Sequence, residues 1–450
     1  MKKSEIHSLI DLNRQGSIDT LIELVKQPSV GSDYNATKKC AEVLKDIMIS
    51  YGIDSQVYET EGNPIVYGEV KAANKDTKTV LFYGHYDVQP PEPLDEWITP
   101  PFEPEIRNNR LYGRGAGDNK GQLLAHVLAV KAILEKEGSV PINIKFVFEG
   151  EEEMGSGSLG TFVEKNKELL DADVVITSDG PIHDSGVYFV VFGVRGVMNF
   201  KLELTTATTD NHSGNKGGVI PNSAWLLNDV LSSMKDDNDF VLIEGFYDDV
   251  IKPTESEFGL IDNLPYNPES LAKVYGVEKI TLDKKSYYER LMFLPTLTIN
   301  GLASGYTGEA TKNIIPRKAI ANMEVRMVKD QNPDDLLEKI RKHVNKVNPN
   351  VIVTKQKEDM LPSRTSSELE VSKKVIEAVK KAHNIDPIVL PSMGASLPDF
   401  IWTKVLGKPS IMVPYANADE ANHAPNENMD LDCYMHGIHC TVEIIDGLSK

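Results

Sequence analysis

Thr79 to Gln89 reads TVLFYGHYDVQ, an apolar, β-branched and aromatic run that ends in Gly84 and then offers His85 and Asp87. The run has the composition of a buried strand. A strand that delivers a polar pair at its carboxyl end is how open α/β sheets build sites. Residues two apart face the same way on an extended backbone, and a histidine with a carboxylate so placed suits a metal ligand supported from behind. Alone, the stretch equally describes a histidine packed at a strand end.

Carboxylates recur at comparable points along the chain. Leu111 to Gly121 (LYGRGAGDNKG) is a glycine-rich loop ahead of a helix expected over Gln122 to Glu137, with Leu123, Leu124, Val127, Leu128 and Ile133 on one face and Gly138 as its stop. Neither phosphate-binding glycine pattern fits the spacing, so the glycines are read as letting Asp118 approach something closely. A strand expected over Ile142 to Phe148 ends in Glu149 and the triple acid Glu151, Glu152, Glu153, after which Ser156 or Ser158 caps a helix running to Leu170. Asp173 to Thr177 is a short apolar strand delivering Ser178 and Asp179, and Asn422 to Glu427 supplies His423 in a polar loop after another apolar strand.

If Asp87, Asp118, Glu152, Glu153 and Asp179 converge with His85, they cannot all stay ionised in a partly buried cleft, because each raises the pKa of its neighbours. Cations resolve this. Histidine and carboxylate ligation without thiolate suits zinc, cobalt or manganese. Two divalent ions about 3.5–4 Å apart, sharing one carboxylate and one water, lower that water's pKa and polarise a carbonyl, and a free glutamate accepts the proton. A competing cluster, Cys433, His436, His439 and Cys440, has residue types that also suit zinc. Positions 433, 436 and 440 share a helical face with Ile444, so the segment is read as a packed terminal helix. His7, His126, His183, His343 and His383 show no partner pattern.

The elements that must position these residues alternate between strand and helix. Helical spacing marks Ser17 to Val25 and Ala36 to Tyr51; Pro64 to Val70 alternates like a strand, a polar turn covers 74–78, and the strand at Thr79 follows as its expected sheet neighbour. The Pro-rich stretch PPEPLDEWITPPFEPEI is a surface loop. From Tyr188 to Leu204 the pattern becomes strand-rich, broken by Gly193 and Gly196. A helix (Ser223 to Met234), an acidic irregular region (Asp236 to Asp283), paired strands (Leu294 to Ile299, Ala319 to Val328), a helix (Leu336 to Val344) and a strand (Val351 to Thr354) follow. Residues 193–357 are therefore expected to form an inserted domain, and 1–192 with 358–450 the catalytic domain. Glu368 to His383 and Leu431 to Leu448 return as helices of the latter, Pro387 to Leu390 and Ser410 to Pro414 as its strands.

At 450 residues, 40% hydrophobic and 26% charged, the chain is an ordinary globular sequence large enough for two domains. Its 48 Lys and Arg against 67 Asp and Glu give a net charge of −19, a field that repels phosphate backbones and anionic membranes and tolerates bound cations. Nucleic-acid and membrane partners are not expected. The three cysteines, Cys40, Cys433 and Cys440, are too few for a disulfide scaffold, and polar residues interrupt the region where an apolar signal core would sit. A reducing, cytoplasmic setting is expected.

The ordered succession GHYDVQP, GRGAGDNKG, EGEEEMGS, SDG, DNHSG, IPRKAIANMEVR and ANHAPNE, from about residue 15 to the C-terminus, resembles the clan MH dinuclear zinc metallopeptidases, which include carnosinase-like dipeptidases, acetylornithine deacetylase, succinyl-diaminopimelate desuccinylase and aminoacylases. The resemblance implies an α/β catalytic domain of the zinc-peptidase type, a mixed central sheet flanked by helices, with an inserted α+β lid that also dimerises. It implies two divalent ions, zinc first and manganese or cobalt as alternatives, one bound by His85 and Asp179, the other by Glu153 and His423, with Asp118 bridging. Asp87 would orient His85, and the Asp118–Asn119 peptide would be cis, a form expected only where function holds it. Glu152 would be the base that activates the bridging water and then protonates the leaving amine. The triple acid leaves the register open by one residue; Glu152 and Glu153 are chosen because one residue and then Gly155-Ser156 follow them.

By the same resemblance, His212 would reach a partner subunit's active site and stabilise the oxyanion. Arg326 would grip the substrate's C-terminal carboxylate, for which a guanidinium is well shaped, and Gly394 and Ser396 would contact that carboxylate. The implied function is metal-dependent hydrolysis of the amide bond of dipeptides or small peptides with a free C-terminal carboxylate. The alternative is an N-acyl-amino-acid deacylase, acting on acetyl- or succinyl-amino acids with the same chemistry. A catalytically silent metal-binding protein on this fold is disfavoured because base, ligands and lid histidine are all present.

Overall fold

The computed structural model describes residues 1–74, 76–356 and 359–450. The expected domain boundary at 357/358 and position 75 of the expected polar turn lie outside the described residues. By its contacts the chain forms two compact units: Met1–Gly193 with Arg364–Pro391 and Pro398–Lys450, and Val194–Ser363 with Ser392–Leu397. Gly394 and Ser396, expected within the catalytic domain, thus pack with the second unit.

In chain order, the first unit opens with helices α1 (Lys3–Leu12), α2 (Arg14–Val25) and α3 (Tyr34–Ser50), then strands β1 (Asp54–Tyr58), β2 (Ile65–Val70) and β3 (Thr79–His85). Helix α4 (Gln122–Glu137), strand β4 (Asn143–Glu149), helix α5 (Leu159–Lys165) and strands β5 (Val174–Thr177) and β6 (Phe189–Val191) follow. The second unit contributes β7 (Gly196–Thr205), α6 (Ser223–Ser232), β8 (Thr296–Ser304), β9 (Lys318–Met327), α7 (Pro333–Val347) and β10 (Ile352–Lys355). The chain returns through α8 (Glu370–His383), β11 (Ile388–Leu390), β12 (Ser410–Met412) and α9 (Leu431–Leu448).

Eight strands of the first unit form one mixed sheet in the order β1-β2-β4-β3-β5-β12-β6-β11. Strand β3 lies parallel to both β4 and β5, with His85 opposite Glu149, and β12 lies parallel to β5, with Met412 opposite Thr177. Four consecutive strands therefore end at one edge, and whatever follows them is delivered there. The expected neighbour of β3 is corrected: β2 pairs antiparallel with β4, which lies between them. A connection as short as theirs would suit a hairpin, but β3 is buried on both faces and takes the sheet's interior.

Alternation along β3 explains that interior place. Val80 and Phe82 join the core made with α1–α4, α8 and α9, while Leu81 and Tyr83 join a second core with Leu159, Phe162, Val163 and Trp402 on the opposite face. Helix α4 spans the expected residues and ends on Gly138 in the left-handed conformation (φ 73°), but it is buried nearly all round rather than along one face. Helix α9 likewise matches its expected span, with the Asp430 carboxylate accepting from the Asp432 and Cys433 amides at its start. The helix expected to run to Leu170 breaks at Asn166, and no serine side chain caps α5. Ser156 instead donates to Glu149 Oε1 at 2.9 Å.

The second unit is a four-stranded antiparallel sheet, β8-β9-β7-β10, whose inward residues Met198, Phe200, Leu202, Ala321, Met323 and Val325 pack with Leu227 and Val230 of α6 and Leu336, Leu337 and Ile340 of α7. The region expected to be irregular, Asp236 to Asp283, contains helices at Glu255–Asp262 and Pro268–Tyr275. Their starts rest on local caps, Thr254 with Glu257 and Asn267 with the Ser270 amide, and not on long apolar periodicity. Among the described residues no helix is long and apolar enough to cross a membrane.

Candidate metal centre

Beyond the end of β3, His85 is fully buried. Its Nδ1 is 3.1 Å from the Asp87 carbonyl and 3.4 Å from Asp87 Oδ1. Nδ1 is thus committed to Asp87, and the neutral ring's lone pair lies on Nε2. Nε2 lies 3.1 Å from Asp118 Oδ1 and 3.9 Å from Asp179 Oδ2, yet is a buried atom with no hydrogen bond of adequate geometry. A lone pair aimed between two carboxylate oxygens is what a divalent cation needs.

The Asp87 carboxylate itself turns to the acidic turn after β4. Its Oδ1 accepts from the Glu152 amide at 3.2 Å and its Oδ2 from the Glu153 amide at 3.1 Å. Asp87 therefore links the ends of β3 and β4, fixing the acid pair as well as the histidine. Glu153 points its Oε2 to His423 Nε2 at 3.2 Å and accepts from Gln89 Nε2 at 2.9 Å. His423 Nε2 is also 3.2 Å from Asp118 Oδ2. The Glu152 carboxylate has no hydrogen-bond partner among the described residues.

Two groups of ligand atoms thus gather: His85, Asp118 and Asp179, and Asp118, Glu153 and His423. Asp118 belongs to both, presenting one oxygen to each histidine. Cys433, His436, His439 and Cys440 join neither; they belong to α9, where Cys440 is buried in the apolar core.

Asp118 is carried by a loop that the glycines shape. The Asp118–Asn119 peptide is cis, and residues Ala116–Gly121 wind as one wide turn into α4. A Cβ at Gly117 would fall 2.3 Å from Glu420 Oε2, and one at Gly84 would fall 2.8 Å from Asn119 Oδ1. At both positions a side chain would force a neighbouring side chain to shift. Asn119 Oδ1 accepts from the His85 amide at 3.3 Å, and its Nδ2 donates to the Ser178 carbonyl at 2.7 Å and to Asp179 Oδ1 at 3.3 Å.

Electrostatics follow the crowding. Burial, then the nearby Asp118 carboxylate, pushes Asp179 up to about 7. Burial, with Asp179, Asp118 and Glu149 close by, raises Glu152 well above the usual carboxylate range against the opposing pull of His85. Hydrogen bonds donated to the Asp118 and Glu153 carboxylates raise His423 to about 10. Asp118 runs the other way: burial would raise it, but His423 and His85 hold it below the ordinary carboxylate value. Such a set is relieved by divalent cations, and no thiolate belongs to either ligand group.

Glu420, Glu427 and Arg114 went unassigned in the sequence. Glu420 is buried with both carboxylate oxygens unpartnered, and burial, then Asp118, pushes it up to about 10. Glu427 closes the ANHAPNE motif and Arg114 precedes the glycines, so both lay in view; nothing in either segment tells that they pair.

A model of peptidase family M20/M25/M40 matches residues 81–447. The chain belongs to this family. An M20 metallo-carboxypeptidase from Sulfolobus solfataricus superposes with a TM-score of 0.84 at 35% identity, covering 96% of this chain and 99% of that one. The human Beta-Ala-His dipeptidase is 30% identical over 83% of this chain and 75% of its own length. The Cys-Gly metallodipeptidase of Schizosaccharomyces pombe is 28% identical over 97% of this chain and 96% of its own. As a member of the family the chain is a metallopeptidase, and its ligand groups are the candidate metal centre.

The remaining expected residues lie in the second unit. His212 is exposed in a two-residue strand against Ile314 and Ile315, its Nδ1 accepting from the Gly214 amide at 3.1 Å. Arg326 on β9 donates to Ser396 Oγ at 2.7 Å, and its Nε is 2.9 Å from Glu324 Oε1. Gly394 lies on the same short segment as Ser396, beside Arg195.

Proposed function

We propose that this metallopeptidase is a dipeptidase that cleaves the amide bond of dipeptides or small peptides carrying a free C-terminal carboxylate. The observation that carries the reading is the division of labour at the strand ends: one aspartate, Asp118, common to two ligand groups, beside a glutamate, Glu152, left without a partner. The activities named for the two dipeptidase relatives lean the same way.

In this reading His85 and Asp179 hold one divalent ion, Glu153 and His423 a second, and Asp118 both, with zinc first and manganese or cobalt as alternatives. The ions, when bound, supply Lewis-acid polarisation of the scissile carbonyl and acidify water. Glu152 takes the proton of the attacking water and returns it to the leaving amine nitrogen. Asp87 fixes the base through the Glu152 amide, so positioning and ligand orientation share one residue.

His212 donates to the developing oxyanion in a partner subunit's site, the second unit acting as lid and dimerisation domain. A cytoplasmic, reducing setting agrees with three free cysteines, two of them buried. The test is a panel of dipeptides against acetyl- and succinyl-amino acids, assayed on metal-loaded protein. Dipeptides should turn over with the higher kcat/KM; preference for the N-acyl compounds would replace the reading with a deacylase.

A further inference from the structure

His7 has no partner pattern in the sequence, and His439 belongs to a cluster that reads as part of a packed terminal helix. The fold brings the two together. His7 on α1 and His439 on α9 have ring centroids 4.7 Å apart and planes tilted by 37°, with their Nδ1 atoms in direct contact. His439 Nε2 is 2.9 Å from Asp11 Oδ1, and His7 Nε2 is 3.0 Å from Glu443 Oε1. Neither histidine belongs to the ligand groups at the strand ends.

The carboxylates decide where the ring protons lie. An ionised carboxylate only accepts, so each Nε2 carries the hydrogen. Glu443 is ionised at neutral pH: burial would raise it, but His7 and Lys3 hold it below the ordinary carboxylate value. In two neutral rings both lone pairs then lie on Nδ1 and face each other, which requires a cation between them. Burial lowers the pKa of His439 from its ordinary 6.5 against the hydrogen bond to Asp11, and His7 and His436 act in the same direction as burial. A proton is therefore a poor occupant near neutrality. Imidazoles backed by a carboxylate on the other nitrogen are how proteins orient histidines toward a divalent transition ion.

Space and charge also fit. His7, Asp11, Arg14, His436, His439 and Glu443 border a cavity of about 480 Å³. The cations around it are already paired: Arg14 with Asp432 at 2.8 Å, Lys381 with Glu377 at 3.2 Å and Lys3 with Glu443 at 2.6 Å. Side-chain exposures of 26% for His7 and 16% for His439 let an ion enter without unfolding either helix. Nitrogens about 2.0–2.1 Å from a tetrahedral ion stand about 3.3 Å apart, so the rings need only part slightly. Among the described residues no third side chain joins the pair as a ligand, and water from the cavity fills the remaining positions.

We propose that His7 Nδ1 and His439 Nδ1 hold a zinc ion separate from the candidate metal centre, clasping α1 to α9. Imidazole nitrogen suits zinc among the divalent ions. The buried residues of α1 are Ile6 and Ile10 alone, so its docking draws on polar contacts and a metal clasp is felt there first. The role is structural and does not depend on which substrate the chain cleaves.

Zinc content after equilibrium dialysis, and hydrogen exchange of α1 with and without zinc, are measured in wild type, His7→Ala, His439→Ala and His423→Ala. Wild type should bind one equivalent more than His7→Ala or His439→Ala. At a free zinc concentration about ten times the dissociation constant, exchange through opening of α1 should slow about 10-fold in wild type and not in those two variants. Protection reaching α1 from the centre at the strand ends would persist in them. His423→Ala, which weakens that centre, should keep the zinc-dependent protection of α1. Equal zinc content in wild type and both variants, or α1 exchange that zinc leaves unchanged in wild type, would overturn the proposal and leave the pair sharing a proton. If His439→Ala does not fold, His7→Ala, the more exposed of the two, reads the same equivalent.

Discussion

Glu427 Oε1 accepts the backbone amide of Asp118 at 3.0 Å, so the shared aspartate of the candidate metal centre is held by a carboxylate more than three hundred residues away in sequence. The same oxygen accepts from the Gly115 and Gly117 amides at 3.0 and 3.2 Å, and Oε2 meets Arg114 Nη1 at 2.7 Å. Both side chains are 1% exposed. Glu427→Ala should therefore leave Arg114 buried and uncompensated, at a cost of about 3–5 kcal/mol. It should also release the loop that presents Asp118. Glu427→Gln, which keeps an acceptor oxygen, should lose less. Denaturant midpoints and bound metal per chain check this; an alanine variant with wild-type values of both would show the pair to be dispensable.

Of the acid pair, Glu152 has no side-chain hydrogen-bond partner among the described residues, while Glu153 is engaged by His423 and Gln89. Glu152→Gln should keep metal content near wild type and lower kcat by about 100- to 10,000-fold, the range for losing a general base. Glu153→Gln should do the reverse, losing metal first. Metal analysis alongside steady-state kinetics separates the two, and high kcat in the Glu152 variant would move the base one residue along the triple acid.

What was legible in the sequence followed periodicity and strand-end chemistry. The strand ending in His85, helices α4 and α9 and the run of acids all announce themselves within a dozen residues, because apolar spacing and a polar terminus are local signals. Contacts made by chain reversal are not local. Nothing near Pro64 tells that β4 will separate β2 from β3. Nothing in GRGAGD tells that Arg114 meets Glu427. Glu420 and Asn119 take their roles from what the fold sets opposite them.

The pKa shifts predict how metal and pH act together. Asp179 and Glu149 are raised from 3.8 and 4.5 to about 7 and 8, chiefly by burial. The folded state thus prefers their protonated forms, a contribution complete below about pH 4 and lost as pH climbs through 7 and 8. His423, raised from 6.5 to about 10 by Asp118 and Glu153, contributes fully below pH 6.5 and loses that contribution as pH passes 10. Asp118 is depressed, and its contribution is lost only in acid, below its ordinary 3.8. Metal-stripped protein should therefore lose stability progressively between about pH 4 and 10. Added zinc or manganese should restore it, so the gain in thermal midpoint on adding metal should widen with pH. A gain constant across that range would mean that Asp179 and His423 do not bind the ion.

His212 offers the most demanding test of quaternary function. It is exposed, and with Nδ1 taken by the Gly214 amide its Nε2 is free to act on something outside its own strand. An exposed histidine with one nitrogen fixed is oriented but unemployed within its unit, which is what donation across a subunit boundary requires. His212→Ala and Glu152→Gln should each be nearly inactive as pure proteins. Mixed under conditions that exchange subunits, they should regain up to about a quarter of wild-type activity, since each heterodimer assembles one site with both the base and the histidine. Size-exclusion chromatography should show a dimer throughout. A monomer, or a mixed dimer with no recovered activity, would return His212 to a role within its own chain.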